Sequence, residues 1–283
     1  MRAVLMHAPG DVRVTDRPEP TIVEPTDAII RTAAVCICGS DLWPYRGLDP
    51  VQDAWMGHEY VGVVEQVGDQ VHTVKPGDFV VGSFWASDNT CEICRAGYQS
   101  HCVQRIPMGT IGTQAQYVRI PLADGTLVAT PGQPDADLIP SLLAASDVLG
   151  TGWFAAVAAQ AGPGGTVAVV GDGAVGLLGV LAARQLGAER VIAMSRHADR
   201  QALAREFGAT DVVAERGDEG VAHIKELTHG LGAHSVIEAV GTQESMLQAI
   251  NAARPGGHVG FVGSSHGVTL PGRLLFSTGV HLH

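Results

Sequence analysis

Cys36 and Cys38 stand one residue apart, are followed at once by Gly39, Ser40 and Asp41, and precede the short run Gly57-His58-Glu59. A thiolate, an imidazole and a carboxylate are the donor types from which zinc sites are built, and a neighbouring hydroxyl can carry a proton. Further on, Cys91, Cys94 and Cys102 form a second thiol cluster. All five cysteines precede residue 103, and an odd count of this kind suits metal ligation better than disulfides. Period-two geometry would point Cys36 and Cys38 to the same side of a strand, so spacing alone leaves both open as ligands.

A different chemistry is written in VAVVGDGAVGLLG, which carries GxGxxG as Gly171, Gly173 and Gly176, with Ala174 and Val175 between the last two. Directly after a strand and opening a helix, the three glycines give a tight turn, close backbone approach to a pyrophosphate and close helix–strand packing, while the helix N-terminus faces the phosphates. The end of the next strand selects the coenzyme. An acid there would accept the adenosine ribose hydroxyls of NAD, but the chain reads Ser195, Arg196, His197. A hydroxyl and a guanidinium suit a 2′-phosphate, so NADP(H) is expected over NAD(H). The alternative leaves Arg196 lying along the adenine or solvated, with either coenzyme accepted.

Two kinds of element must position these groups. Residues 1–150 read as short alternating apolar runs, such as DAIIRTAAVCI, EYVGVVEQVG and GDFVVGSF, cut by Gly, Pro and Asp turns. That pattern predicts a small, mostly β, barrel-like domain. Residues 151–283 instead alternate buried strands (GTVAVVG, RVIAMS, SVIEAVG, HVGFVG) with helical segments closed by Gly187 and Gly208, which predicts a parallel sheet wrapped on both faces. The 283 residues suffice for two such domains. A net charge of −11 argues against a nucleic-acid partner, which would need clustered Lys and Arg. No run approaches about 18 uninterrupted apolar residues, so no membrane partner is expected and the cytoplasm is the expected location.

GHEYVGVVEQVGDQV, with CGSD upstream and GxGxxG downstream, resembles the zinc-containing medium-chain dehydrogenase/reductase family, the alcohol dehydrogenases and their relatives. The resemblance implies an α/β protein: a GroES-like, β-rich catalytic domain over 1–150, with a metal lobe at about 85–105, and a Rossmann domain, a doubly wound parallel sheet, over 151–283. It implies a catalytic zinc held by Cys38, His58 and Asp147, the last at a position where some relatives carry Cys and others Asp; on its own Asp147 would read as a helix cap. Alcohol dehydrogenase is itself the reference case for three protein ligands and one open position. Glu59 is then a neighbour of the metal or an exchanging ligand, and Asp41 orients His58. Ser40 matches a hydroxyl that hydrogen-bonds the reacting oxygen and starts proton exchange with solvent. Thr151 matches a position packed on the nicotinamide, and Val262, in HVGFVG, is a further coenzyme-binding candidate. The family tie favours Cys38 as ligand and leaves Cys36 a small buried residue beneath it.

The lobe resembles a CxxCxxCx7C structural zinc site in which Asp88 replaces the first cysteine, beside Cys91, Cys94 and Cys102; an empty lobe or a different fourth ligand such as His101 are the rival readings. Trp43 stands where several relatives carry the histidine that ends the proton relay, and with Trp85 it reads as a substrate-pocket or core residue. The function implied is a zinc-dependent, NADP(H)-preferring oxidoreductase acting on a small alcohol, aldehyde or ketone, as a homodimer or homotetramer. The alternatives are an NAD-linked polyol, formaldehyde or other specialised dehydrogenase, and a catalytically idle NADPH- or zinc-binding protein. The family normally adds a C-terminal segment that returns to complete the catalytic domain, and no such return is expected after LLFSTGVHLH.

Overall fold

The strand β3 (Ala28–Val35) ends one residue before Cys36, so both thiols of the CxC pair lie beyond the sheet. A computed structural model describes residues 1–283, which divide into two units, Met1–Asp147 and Val148–His283; the sequence expectation put this division three residues later. In the first unit β1 (Arg2–Ala8), β2 (Asp11–Asp16) and β4 (Ala54–Trp55) form one small sheet. A second, antiparallel sheet contains β3, β5 (Tyr60–Val67), β6 (Phe79–Gly82), β9 (Tyr117–Ile120) and β10 (Leu127–Ala129) in the order β10-β6-β5-β3-β9. The hairpin β7 (Trp85–Ala86) and β8 (Ile106–Pro107) flanks the cysteine lobe.

The apolar alternation of these strands fills one core with Ile30, Tyr60, Val64, Val80, Val118 and Ile120. Pairing of Val35 with Tyr60 brings the chain after β3 alongside the chain before β5, so Cys36–Cys38 and His58–Glu59 lie together at one end of the sheet. The Cys36 N–H donates to the Glu59 carbonyl at 3.4 Å. Just before His58 the backbone turns through Gly57 at φ +95°, where a Cβ would stand 2.5 Å from Gln114 Cγ. Gln114 Nε2 in turn donates to the Cys36 carbonyl at 3.0 Å.

In the second unit β11 (Thr166–Val170), β12 (Arg190–Met194), β13 (Asp211–Val213), β14 (Ala233–Glu238), β15 (Ala253–Phe261) and β16 (His281–Leu282) form a parallel sheet in the order β13-β12-β11-β14-β15-β16. Continuous apolar runs are needed because both faces are covered. On β11, Val167 and Val169 enter one core with Leu177, Val180 and Ile237, whereas Ala168 and Val170 enter the other with Ile192, Ile224 and Val236. Strand order reverses between β12 and β14 around β11, and the crevice beyond those carboxyl ends is where this architecture binds ligands. No single helix is long and apolar enough to cross a membrane.

Candidate metal centres and dinucleotide turn

Cys38 opens a single 3-10 turn, Gly39–Asp41, and is fixed from both sides. Its N–H donates to Asp41 Oδ2 at 2.9 Å and its carbonyl accepts from the Asp41 N–H at 3.1 Å. The other Asp41 oxygen faces His58 Nδ1 at 3.7 Å, while His58 Nε2 points to Asp147 Oδ2 at 3.5 Å. One donor atom each from Cys38, His58, Glu59 and Asp147 lies within 4.8 Å of all the others. Two ligands at about 2.1 Å from one tetrahedral zinc would be about 3.4 Å apart, close to the His58–Asp147 separation and longer than an ordinary hydrogen bond.

Charge and burial agree with a bound cation. Glu59 and Asp147 are 3% and 8% exposed, and Glu59 Oε1 is buried without a hydrogen-bond partner, a costly arrangement unless a cation fills it. Burial pushes the His58 imidazolium down, yet Asp147, the Cys38 sulfur and Asp41 outweigh it and lift the pKa to about 10. Burial, then Asp147, raises the Glu59 carboxyl. The donor set therefore fits a divalent metal.

Cys36 lies outside this group of donors. Because β3 stops at Val35, period two does not extend to it; the residue is half-buried and packs against Val61, Phe79 and Leu143, where the resemblance implies a small buried residue. Burial, then the Glu59 carboxylate beside it, raises its thiol pKa. Ser40 is exposed on the turn after Cys38, and Trp43 follows in helix Leu42–Tyr45. The Trp85 ring carries the Arg105 guanidinium 5.1 Å from its centroid, beside the lobe.

In the lobe, Asp88, Cys91, Cys94 and Cys102 also bring one donor atom each within 4.8 Å. The Cys91–Cys94 and Cys91–Cys102 sulfurs are 3.5 and 3.9 Å apart, bracketing the roughly 3.8 Å edge of a tetrahedral zinc–thiolate site. Asp88 Oδ1 accepts from the Thr90 and Cys91 N–H groups, which hold its carboxyl down at about 2, and it lies 3.4 Å from Cys94 Sγ. N–H groups of Asp88, Cys94 and Gln104 point at sulfur as well. His101 stays outside, paired with Ser100 Oγ at 3.1 Å.

The glycine-rich turn has the required shape. Gly171 adopts φ +117°, and a Cβ on Gly176 would stand 2.0 Å from the Gly171 carbonyl oxygen, whereas a Cβ on Gly173 would meet nothing. Gly173 precedes helix Ala174–Gln185, whose first turn holds Ala174 and Val175. Val262 donates its N–H to the Glu238 carbonyl at 2.9 Å, and Thr151 lies half-buried in helix Val148–Ala158. Arg196 is exposed, but Ser195 is not free: its Oγ donates to Asp172 Oδ2 at 2.8 Å.

Two carboxylates of this unit escape a reading by motif and period. Asp172 occupies the first variable position of GxGxxG, and Glu238 ends a buried apolar run, with Oε1 accepting the Val240 and Gly241 N–H groups at 2.9 Å and Oε2 buried without a partner. An acid in either context is the available signal.

Comparison with known proteins agrees with both halves. Residues 24–131 match the alcohol dehydrogenase GroES-like domain and residues 174–282 the zinc-binding dehydrogenase domain. The chain is 36% identical to a zinc-type alcohol dehydrogenase of Aspergillus flavus, over 94% of this chain and 64% of that protein, so it spans just under two thirds of that relative's length. It is also 36% identical to a medium chain reductase/dehydrogenase of an Acremonium species, over 94% of each. Among solved structures, the alcohol dehydrogenase of a Thermus species superposes with a TM-score of 0.89 at 32% identity, covering all of this chain and 84% of that one. The chain belongs to the zinc-dependent medium-chain reductase/dehydrogenase family.

Proposed function

We propose that this chain is a zinc-dependent oxidoreductase that moves a hydride between NADP(H) and a small alcohol or its aldehyde or ketone. The observation that carries the reading is the convergence of Cys38, His58, Glu59 and Asp147 around an unpartnered buried carboxylate oxygen. Zinc bound there supplies Lewis acidity toward the substrate oxygen, and a nicotinamide supplies or accepts the hydride. Cys38, His58 and Asp147 hold the metal, with Glu59 as a neighbouring or exchanging donor. Asp41 clamps the Cys38 turn and orients the His58 ring, as supporting carboxylates do in such centres. The exposed Ser40 hydroxyl carries the substrate proton to solvent, without the histidine that other members place at the Trp43 position. Asp88, Cys91, Cys94 and Cys102 hold a second, structural zinc.

In the coenzyme unit, Gly171, Gly173 and Gly176 with the Ala174 and Val175 backbone receive the pyrophosphate. Thr151 and Val262 line the nicotinamide, and Arg196, exposed at the end of β12, meets the 2′-phosphate. A second reading, an NAD-linked polyol, formaldehyde or other specialised dehydrogenase, is favoured by the reach of Asp172 to Ser195, which puts a carboxylate at that same strand end. The test is a panel of alcohols, aldehydes and ketones with both coenzymes on zinc-loaded protein. Turnover with NADP(H) supports the first reading and turnover with NAD(H) alone the second; tight coenzyme binding without turnover would leave only a binding protein.

A further inference from the structure

Position 195 carries no acid, yet an acid reaches it from elsewhere in the unit. Asp172 leaves the glycine-rich turn after β11 and crosses to the end of β12, where Oδ2 accepts from Ser195 Oγ at 2.8 Å and Oδ1 accepts from Arg200 Nη1 at 2.9 Å. Gln201 Nε2 closes the same corner by donating to the Ser195 carbonyl at 2.7 Å. Arg200 and Gln201 both lie in helix Ala198–Glu206, so one carboxylate ties the pyrophosphate turn to the strand end that selects the coenzyme. The Asp172 side chain is 10% exposed and that of Arg200 46%, so the pair turns its cation outward. Burial pushes the Asp172 carboxyl up, but Ser195 and Arg200 outweigh it and hold it below the usual carboxylate range, ionised at neutral pH.

An ionised carboxylate one residue before the N-cap Gly173 sits in the field that would otherwise favour a phosphate. Unless neutralised, it opposes any anion brought to that corner. NADPH and NADH share the pyrophosphate and differ there only in a doubly charged 2′-phosphate against a neutral hydroxyl. A charge near the corner therefore acts on their ratio, while a general loosening of the turn acts on both alike.

We propose that the Asp172–Arg200 pair, braced by Ser195, acts beside Arg196 in setting the balance between NADPH and NADH: Arg200 offers its outward guanidinium to the 2′-phosphate, and Asp172 restrains that cation and favours a free 2′-hydroxyl. The inference rests on the reading that this turn takes a nicotinamide dinucleotide, and not on which of the two is preferred.

Equilibrium titrations of NADH and NADPH, followed by nicotinamide fluorescence on the full zinc-loaded chain, test it. Arg200→Ala should lower the preference for NADPH over NADH by about tenfold, the scale of one hydrogen bond to a charged group, with Arg200→Lys retaining most of it. Asp172→Asn, nearly isosteric, should move the ratio the opposite way, toward NADPH. Equal changes in both affinities, or shifts of the same sense in the two variants, would overturn the proposal. Because Arg200 is half-exposed, its variants decide the matter even if Asp172→Asn fails to fold. A wild-type chain that prefers NADH would sink the NADP(H) assignment while leaving the opposed shifts to be read; one that binds neither coenzyme would sink both.

Discussion

His58 Nε2 lies 3.5 Å from Asp147 Oδ2, although the two residues come from the segment just before β5 and the very end of the first unit. The contact is long for a hydrogen bond and close to the edge of a tetrahedron with a metal at its centre. It joins a histidine delivered by a sheet register to a carboxylate delivered by the chain's exit from the unit.

Zinc counting should separate the two neighbouring cysteines. Wild-type protein is expected to hold two zinc ions per chain; Cys38→Ser should hold one, and Cys36→Ser two. Elemental analysis after dialysis reads this directly, and loss of zinc in Cys36→Ser alone would reverse the ligand assignment.

The lobe should lose its own metal independently. Asp88→Ala is expected to remove one zinc, to lower the unfolding temperature by about 2 °C or more, and to leave coenzyme affinity within about twofold. A full complement of two zinc ions in Asp88→Ala would show that the three cysteines need no carboxylate.

Two glycines of one motif should fail differently. Gly176→Ala forces a Cβ to within 2.0 Å of the Gly171 carbonyl oxygen and should destabilise the protein by about 1–3 kcal/mol along with coenzyme binding. Gly173→Ala meets nothing in the folded chain, so its stability should change by a few tenths of a kcal/mol, while coenzyme affinity falls about tenfold or more. Calorimetry beside coenzyme titration checks the contrast.

The pairing of β12 and β13 should carry an acid-sensitive contribution. Arg190 Nε donates to Asp211 Oδ2 at 2.8 Å and Nη2 to Oδ1 at 3.3 Å, and the guanidinium holds the Asp211 carboxyl below its usual 3.8. A carboxyl with a depressed folded pKa stabilises above its unfolded pKa and loses that contribution as pH falls through the folded one. Asp211→Asn should therefore cost about 0.5 kcal/mol at pH 6, the scale of a partly exposed ion pair, and less at pH 3. Denaturant midpoints at both pH values give the comparison.

The sequence is most legible where one local rule governs a residue. Alternation predicts the strands around Ile30, Val64 and Val118, and the split of Val167 and Val169 from Ala168 and Val170 follows from a buried parallel strand. Cys38, His58 and Asp147 are named only through a resemblance, since no spacing links Asp147 to His58. Period two leaves Cys36 and Cys38 equal as ligands, and because the strand stops at Val35 it has no hold on either thiol. Asp172 is missed because the acid that bears on the coenzyme is sought at the end of β12, whereas it arrives there from the preceding turn, through a side-chain contact that no periodicity encodes.

Stripping the metal with a chelator and following coenzyme-linked turnover of an alcohol panel as zinc is returned tests whether the Cys38–His58–Asp147 centre makes this chain a zinc-dependent oxidoreductase. Turnover should vanish on stripping and return as the second zinc per chain is restored, with Cys38→Ser inactive throughout. Turnover that survives complete removal of zinc, or that persists in Cys38→Ser, would contradict it.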